Sequence, residues 1–269
     1  MKIILNKNKL LRLIKAKKNL GFVPTMGGIH FGHISLIKKS ISQCDMTIVS
    51  IFINKPQFNR KKDFKMYPRV LSKDIAILKK LKIDFLYLPS VKQIYPKGVN
   101  KKIKISSFSK KLCGKFRPGH FKAVVDVIDR FIKIIRPQKI YLGEKDYQQY
   151  KIIESFVSNN HPFAKVILCK TQREKSGIAY SSRNFLLSKK DKKIASQVYK
   201  LLKYKKNKLI KNKFLLNKTK NKIKGLGVSK IEYLKILNIR KIVNPYRKGF
   251  QYRIFISYYI NGVRLIDNF

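Results

Sequence analysis

Acidic residues, cysteine and tryptophan are scarce in this sequence, and each shortage narrows what the chain can be. Only 13 of the 269 residues are Asp or Glu, Trp is absent, and Cys occurs three times. The cysteines, Cys44, Cys113 and Cys169, lie far apart and are odd in number, so they fit neither a disulfide framework nor a zinc site. We therefore expect a protein of the reducing cytoplasm.

Long apolar runs are also missing. No stretch approaches the roughly 18 consecutive apolar residues of a membrane span. The N-terminal segment is interrupted by Lys, Asn and Arg, which is not the pattern of a secretory signal. The hydrophobic content of 44% is nevertheless enough for a packed core. These features predict a globular protein without a membrane partner.

Basic residues dominate the charge, because 63 Lys and Arg give a formal net charge of +50. Nucleic-acid-binding surfaces usually cluster their charge, favour Arg and interleave aromatic residues. Here the excess is mostly Lys and is spread over every segment, which favours compositional drift and predicts no specific nucleic-acid partner. The field of the chain still favours anionic substrates. The alternative from another functional class is a non-catalytic basic protein that binds RNA or DNA, with an affinity that falls steeply with salt.

The first two-thirds of the chain alternates β-rich runs with helical patterns. "GFVPT" and "MTIVSIFIN" predict buried parallel strands on either side of a helix. The apolar face predicted for that helix comprises Ile34, Ile37, Ile41 and Cys44. A later helix, which stops before Pro137, has its apolar face at Val124, Ile128, Phe131 and Ile135. This alternation predicts an α/β domain over residues 1–173, with a mostly parallel sheet and helices on both faces.

The pattern changes in the last third. A Lys-coated helix has apolar positions at Leu202, Leu209 and Ile210. The final residues form two strand patterns joined at Asn261-Gly262, a strong hairpin signal. We expect a smaller C-terminal α+β domain, residues 174–269, that acts as a lid.

The stretch "PTMGGIHFGH" places His30 and His33 in a glycine-rich loop between a strand and a helix. Glycine allows backbone N–H groups to approach a ligand closely, and a helix N-terminus favours anions. The two imidazoles can donate hydrogen bonds to phosphate oxygens as charge develops on them. Neither GxxxxGK[ST] nor GxGxxG is present, so the pattern predicts a phosphate site built on histidines.

This stretch resembles the HxGH signature of the nucleotidylyltransferase superfamily, in the form found in the pantothenate synthetase (pantoate–β-alanine ligase) family. Further blocks of that family follow in the same order along nearly the whole chain, ending with "RLIDN". They are "VSIFINKPQF", "YPR" at 67–69, "RPGHF" at 117–121, "GEKDYQQ" at 143–149 and "SSRN" at 181–184.

The resemblance implies a Rossmann-like nucleotidyltransferase domain, a homodimer to which "VSIFIN" contributes, and a reaction in two steps. Pantoate attacks the α-phosphorus of Mg-ATP to give pantoyl adenylate and pyrophosphate. The amine of β-alanine then displaces AMP and forms pantothenate. A carboxylate is a poor acylating agent, so this activation requires stabilised charge at the α-phosphate and at the departing pyrophosphate.

Residue roles carried over from the family fall into three groups. The catalytic residues implied are His33, His30, Lys145 and Arg183. The ATP-binding residues implied are Met26, Gly27, Gly28, Ile29, His30, Phe31, Gly32, His33, Gly143, Glu144, Lys145, Asp146, Gln172, Tyr180, Ser181, Ser182 and Arg183. Pantoate and β-alanine are assigned to Gln57, Gln149, Thr25, Asn54 and Arg117, because neutral amides can orient a hydroxy acid without a competing ion pair.

Three further residues carry expectations of their own. Asp74 resembles a position near Mg²⁺, His120 lies either near the pantoate pocket or at a helix start, and His161 is predicted as a surface loop residue. The chain also departs from the family order Asn-Pro-x-Gln-Phe, because its proline is Pro56, one place later.

A second enzyme hypothesis stays within the superfamily. Another adenylate-forming or nucleotidyl-transferring enzyme, including a small aminoacyl-tRNA synthetase-like protein, would share the HxGH loop. Such synthetases pair that loop with a KMSKS-type loop, which "SSRN" does not match. Gln57 and Gln149 favour a hydroxy acid over an amino acid.

Overall fold

The computed structural model describes residues 1–15, 17–242 and 251–269. They form two compact units. The N-terminal unit comprises Met1–Glu144 and Gln148–Lys170, and the C-terminal unit comprises Lys145–Tyr147 and Thr171–Phe269.

The N-terminal unit is built on a parallel sheet of six strands in the order β1-β4-β3-β2-β5-β6, which confirms the predicted α/β class. The strands are β1 Lys2–Ile4, β2 Leu20–Thr25, β3 Met46–Ile51, β4 Phe85–Tyr87, β5 Lys139–Gly143 and β6 Lys165–Cys169. The chain leaves β2 for β3 on one side, and β5 lies on the other side of β2. Ligands of open α/β sheets bind outside the carboxyl ends of the strands at such a switch point, which here is the end of β2.

Helices connect these strands. They are α1 Lys7–Ile14, α2 Phe31–Gln43, α3 Lys61–Lys65, α4 Leu71–Lys80, α5 Val91–Ile94, α6 Cys113–Phe116, α7 His120–Ile135 and α8 Tyr147–Asn160. The predicted apolar face of α7 is confirmed, since Val124, Ile128, Phe131 and Ile135 are all buried. Among the described residues, no helix is both long enough and apolar enough to cross a membrane.

The predicted apolar face of α2 is wrong at one position. Ile41 is 41% exposed, whereas Ser40 is fully buried. A Cβ atom on Gly21 of β2 would lie 2.1 Å from Ser40 Oγ, so the helix approaches the strand through two small residues. The hydroxyl is satisfied by Thr47 Oγ1 at 2.8 Å. The spacing of apolar residues did not predict the burial of Ser40, because that burial depends on close packing between the helix and the neighbouring strand.

The prediction that His161 is a surface residue is also wrong. Its side chain is 8% exposed, and its Nε2 lies 2.7 Å from Asp129 Oδ1. The other oxygen of Asp129 accepts from Lys133 Nζ at 2.6 Å. His161 thus ties the chain segment after α8 to α7.

The C-terminal unit contains an antiparallel sheet in the order β7-β8-β9 with two helices. Its elements are α9 Lys189–Lys211, α10 Leu215–Gly225, β7 Lys230–Asn238, β8 Tyr252–Ile260 and β9 Val263–Asn268. The predicted hairpin is confirmed, because Asn261 and Gly262 both have positive φ, 45° and 77°, between β8 and β9. On α9, Leu202 and Leu209 are fully buried in the core of this unit.

One carboxylate joins the three strands of this sheet. Glu232 lies at a register shift of β7 and accepts from Ser257 Oγ and Tyr259 OH of β8, each at 2.9 Å. Arg264 of β9 donates Nη2 to the same carboxylate at 2.6 Å, and both side chains are 6% exposed. Burial would raise the pKa of Glu232, but the hydrogen bonds and charge of these partners outweigh it and hold the pKa below its ordinary value.

We predict that Glu232→Gln destabilises the protein by about 3–5 kcal/mol at pH 7, because the Arg264 guanidinium stays buried without its counter-charge. A carboxyl whose pKa is lowered by folding stabilises the folded state above its ordinary pKa and loses that effect as the pH falls through the folded-state value. The difference between variant and wild type should therefore shrink below about pH 4. Urea unfolding of both proteins at pH 7 and at pH 3 measures this difference in the free energy of unfolding.

The matched control is Glu154→Gln, since Glu154 pairs with Lys151 at 2.6 Å while 30% exposed. It should cost less than about 1 kcal/mol. A Glu232→Gln penalty that is equally large at pH 3 and pH 7 would contradict the assigned charge interaction.

Candidate active site

The glycine loop begins where β2 ends, at the switch point of the sheet. Thr25 Oγ1 donates to the Ser50 carbonyl of β3 at 2.8 Å and accepts from Gly27 N at 3.2 Å. Gly27 and Gly28 follow with φ of +80° and +65°, in the left-handed region that favours glycine. Thr25 therefore anchors the start of this loop, and its side chain is buried.

Asp74 of α4 fixes the middle of the loop. Its two carboxylate oxygens accept from Gly28 N at 2.9 Å and from Ile29 N at 2.8 Å. Asp74 is only 4% exposed, and a Cβ atom on Gly27 would lie 2.9 Å from its Oδ2. The sequence placed this residue near a metal ion, but both oxygens are committed to the loop backbone.

His30 caps the N-terminus of α2. Its Nδ1 accepts from Gly32 N at 3.1 Å and from His33 N at 3.4 Å. An accepting nitrogen carries no proton, so the proton of the neutral ring lies on Nε2. The cap therefore takes up two helix N–H groups and makes the other ring nitrogen of His30 a hydrogen-bond donor.

The imidazoles of His30 and His33 stack, with ring centroids 4.0 Å apart and planes 20° apart. The sequence predicted that both rings serve one site, and the structure brings them together.

Gln57 lies after β3, in a short 3₁₀ turn at Lys55–Gln57 that contains Pro56. Its Oε1 accepts from Asn54 Nδ2 at 3.0 Å, and its Nε2 lies 3.1 Å from Met26 Sδ in the glycine loop. With the proline at its shifted place, the amide of Gln57 still meets both Asn54 and the loop.

Arg117 and His120 hold the backbone of Gln57. Its carbonyl accepts from Arg117 Nη2 at 3.1 Å and from His120 Nδ1 at 2.8 Å. Arg117 Nη1 lies 3.0 Å from His120 Nε2, and because a guanidinium only donates, that nitrogen accepts and Nδ1 carries the proton. The "RPGHF" block is thus joined to the Gln57 segment.

Gln149 lies on α8, which follows β5, and is half-buried. Its neighbour Gln148 is the buried one: Nε2 donates to the carbonyls of Phe108 at 2.9 Å and Lys111 at 2.7 Å, and Oε1 accepts from Cys113 N at 3.0 Å. Gln148 holds the segment before α7, a role that the sequence did not signal.

The remaining positions predicted in the N-terminal unit differ in burial. Ile29 is 4% exposed and packs in the core, so its side chain is not available to a nucleotide, whereas Phe31 is 62% exposed. Gly143 is the last residue of β5 and Glu144 follows it, beside the switch point.

The C-terminal unit brings three predicted phosphate-binding residues to one cavity. Lys145, Ser181 and Arg183 line a cavity with about 390 Å³ of empty space. Lys145 Nζ lies 3.3 Å from Asp146 Oδ2, and its backbone carbonyl accepts from Asn268 Nδ2 at 2.9 Å. Arg264 and Asp267 also line this cavity, but they are paired with Glu232 and Arg173, respectively. The two remaining cations, Lys145 and Arg183, and the Ser181 hydroxyl fit an anionic group.

The loop that carries Ser181 and Arg183 is ordered by its own polar groups. Ser181 Oγ accepts from Arg183 N at 3.2 Å, and Asn184 Nδ2 donates to Glu174 Oε1 at 3.0 Å and to the Ala179 carbonyl at 3.1 Å. Tyr180 N donates to the Gln172 carbonyl at 3.0 Å. Ser182 is buried, whereas the Asp146 side chain is 43% exposed.

The described residues do not form a resident metal site. Within residues 1–15, 17–242 and 251–269, no group of three or more His, Cys, Asp or Glu side chains is arranged to hold a metal ion. The carboxylate that meets the glycine loop is Asp74, and its oxygens are occupied by backbone N–H groups.

Comparison with known proteins gives a consistent family. The family model described as pantoate-beta-alanine ligase matches residues 2–269. A pantothenate synthetase from Francisella tularensis subsp. mediasiatica (strain FSC147) is 44% identical over 261 residues, which cover 96% of this chain and 91% of the relative.

Solved structures agree with these sequence matches. A crystal structure of pantoate-beta-alanine ligase from Francisella tularensis, complexed with beta-gamma ATP and beta-alanine, superposes with a TM-score of 0.85 at 40% identity, covering 100% of this chain and 97% of that one. Pantothenate synthetase from Thermus thermophilus gives a TM-score of 0.89 at 29% identity, covering 100% and 99%. The chain therefore belongs to the pantoate-beta-alanine ligase family.

Proposed function

We propose that this protein condenses pantoate with β-alanine to form pantothenate, using ATP and releasing AMP and pyrophosphate. The observation that carries the proposal is the loop at the end of β2, where His30 and His33 stack on each other and where Met26 meets the donor amide of Gln57. The Francisella relative, crystallised with beta-gamma ATP and beta-alanine, supports these substrates.

The first step activates the acid. An oxygen of the pantoate carboxylate forms a bond to the α-phosphorus of ATP, the bond from that phosphorus to the β-phosphate oxygen breaks, and pyrophosphate leaves. His30 presents its Nε2 proton to the phosphate oxygens on which charge develops. His33, which stacks on His30, offers a second imidazole donor to the same oxygens.

The second step forms the amide. The nitrogen of β-alanine bonds to the acyl carbon, the bond from that carbon to the phosphate oxygen breaks, AMP leaves with that oxygen, and the nitrogen loses a proton. Gln57 and Gln149 orient pantoate through neutral hydrogen bonds, and Lys145, Ser181 and Arg183 bind phosphate oxygens. Asp146 accepts from a ribose hydroxyl, the Gln172 backbone meets the adenine, and Tyr180 contributes to the ATP site.

Mg²⁺ enters with the nucleotide. Mg²⁺ usually keeps several waters and binds through one or two carboxylates and substrate phosphates. Since both oxygens of Asp74 accept from the loop backbone, the ion would be held by the phosphate oxygens of ATP and by water.

A cytoplasmic location and a homodimer are further proposals from the sequence. The cysteines are free, which suits a reducing compartment. Within "VSIFIN", Val49 and Phe52 are buried in the unit itself, so that an interface there would depend on the half-buried Ile51 and Ile53.

An omission experiment tests the proposed reaction. With Mg-ATP, pantoate and β-alanine present together we expect AMP and pantothenate. We expect no AMP when any one of the three is left out, and without β-alanine the release of pyrophosphate should stop after a single turnover. AMP formed with an amino acid and tRNA instead of pantoate would favour a synthetase-like enzyme. ATP left intact while the protein binds RNA at moderate salt would favour the non-catalytic alternative.

We predict that His33→Ala lowers kcat by about 100-fold or more, because a donor to the developing phosphate charge is lost. Gln57→Ala should instead raise the KM for pantoate and leave the KM for ATP within about twofold, because its amide orients only the acid. Steady-state kinetics with each substrate varied in turn separate the two effects. Equal changes in both KM values for Gln57→Ala would contradict its assignment.

We also predict that Asp74→Asn lowers kcat/KM for ATP by about 10- to 100-fold, because an amide can accept from only one of the two loop N–H groups. The matched control is Asp84→Asn, since Asp84 Oδ2 accepts a backbone N–H, that of Thr47 at 2.8 Å, at the amino end of β3. The control should lower thermal stability without changing the ATP parameters. A loss of ATP kinetics in both variants would attribute the effect to general destabilisation.

A further inference from the structure

A chain of buried polar groups runs outward from Gln57 and reaches a tyrosine that the sequence did not single out. Tyr95 OH donates to Asn54 Oδ1 at 2.7 Å, and Asn54 Nδ2 donates to Gln57 Oε1 at 3.0 Å. Tyr95, Asn54 and Gln57 are 9%, 1% and 9% exposed, respectively. The hydroxyl of Tyr95 therefore reaches the Gln57 amide through one intermediate side chain.

The direction of each hydrogen bond is set by a backbone carbonyl. Asn54 lies 3.1 Å from the carbonyl oxygen of Ala123, which can only accept, so the Asn54 amino group must face it. The Asn54 oxygen then faces Tyr95, and the second amino hydrogen faces Gln57. Gln57 consequently accepts through Oε1, and its Nε2 faces Met26 and the glycine loop.

Tyr95 is itself held in place. The Arg130 guanidinium lies over its ring at 4.6 Å from the centroid, and Arg130 donates to Asp126 at 2.7 Å and to the carbonyls of Ile94 and Gly98, each at 2.8 Å. Burial raises the pKa of Tyr95 well above its ordinary value, so the hydroxyl keeps its proton and remains a donor.

We infer that Tyr95 is a positioning residue for pantoate: its hydroxyl fixes the Asn54 amide, which turns the Gln57 amide so that one Nε2 hydrogen meets Met26 Sδ and the other faces the oxygens of the acid. The inference rests on the proposed function through the assignment of Gln57 to pantoate. Without the tyrosine hydroxyl, the Asn54 oxygen has lost its donor in a site that excludes water, and the Gln57 amide gains freedom to rotate.

The test is Tyr95→Phe, which removes one oxygen atom and retains the ring beneath Arg130. We expect kcat/KM for pantoate to fall about tenfold, with the KM for ATP within about twofold of wild type. The matched control is Tyr87→Phe, since Tyr87 is fully buried in the same unit and its hydroxyl donates to Gln93 Oε1 at 3.1 Å, away from Asn54. The control should lose similar thermal stability and leave the pantoate parameters unchanged.

A double variant separates this inference from the proposed function. In a Gln57→Ala background, Tyr95→Phe should cause no further loss, because both act on one contact. Unchanged pantoate kinetics in Gln57→Ala would overturn the assignment of Gln57 and thus the proposed function. A strong effect of Gln57→Ala together with no effect of Tyr95→Phe, or with fully additive losses, would overturn the role of Tyr95.

An NMR measurement tests the positioning without any turnover. The side-chain amide signal of Gln57, identified by its loss in Gln57→Ala, should shift in Tyr95→Phe and stay in place in Tyr87→Phe. A Gln57 signal that is unmoved in Tyr95→Phe would overturn the inference even in an active enzyme.

Discussion

Two hydrogen bonds from the backbone of Gly28 and Ile29 to the buried Asp74 carboxylate hold the loop on which the rest of this site is built. They fix the left-handed turn at Gly27 and Gly28, and that turn brings His30 to the N-cap position just before α2, where its ring caps the helix. With 13 acidic residues against 63 basic ones, carboxylates are rare in this chain. The structure uses them at junctions, as it does again with Glu232 and Asp129.

In the site of the N-terminal unit, the existing hydrogen bonds of each side chain determine which of its atoms can donate to a ligand. His30 accepts through Nδ1 and so donates through Nε2, while Gln57 accepts through Oε1 and so donates through Nε2. In the reaction proposed above, both residues therefore offer neutral N–H groups to the oxygens of the substrates. Neutral donors suit a hydroxy acid whose carboxylate must remain free to attack, because an ion pair would hold that carboxylate in place. Full positive charge lies in the cavity of Lys145 and Arg183, where it suits phosphate.

Much of this was predictable from local patterns. The strand before the glycine loop, the buried face of α7 and the hairpin at Asn261-Gly262 follow from hydrophobic period and turn chemistry. The features that the sequence did not predict depend on contacts between distant parts of the chain. Asp74 meets the loop across 45 residues, His161 meets Asp129 across 32, and Tyr95 meets Asn54 across 41. A buried polar side chain shows no period in the sequence, so its partner becomes visible only when the elements are packed.

The fate of an oxygen label tests most directly whether the pantoate carboxylate attacks the α-phosphorus. Pantoate labelled with ¹⁸O in both carboxylate oxygens is turned over with unlabelled ATP and β-alanine, and the masses of the products are measured by mass spectrometry. The bond changes proposed above leave one carboxylate oxygen on the phosphorus, so each AMP should carry one ¹⁸O and each pantothenate should retain the other. Unlabelled AMP, or label found in pyrophosphate, would contradict attack at that atom and with it the roles given to His30 and Gln57.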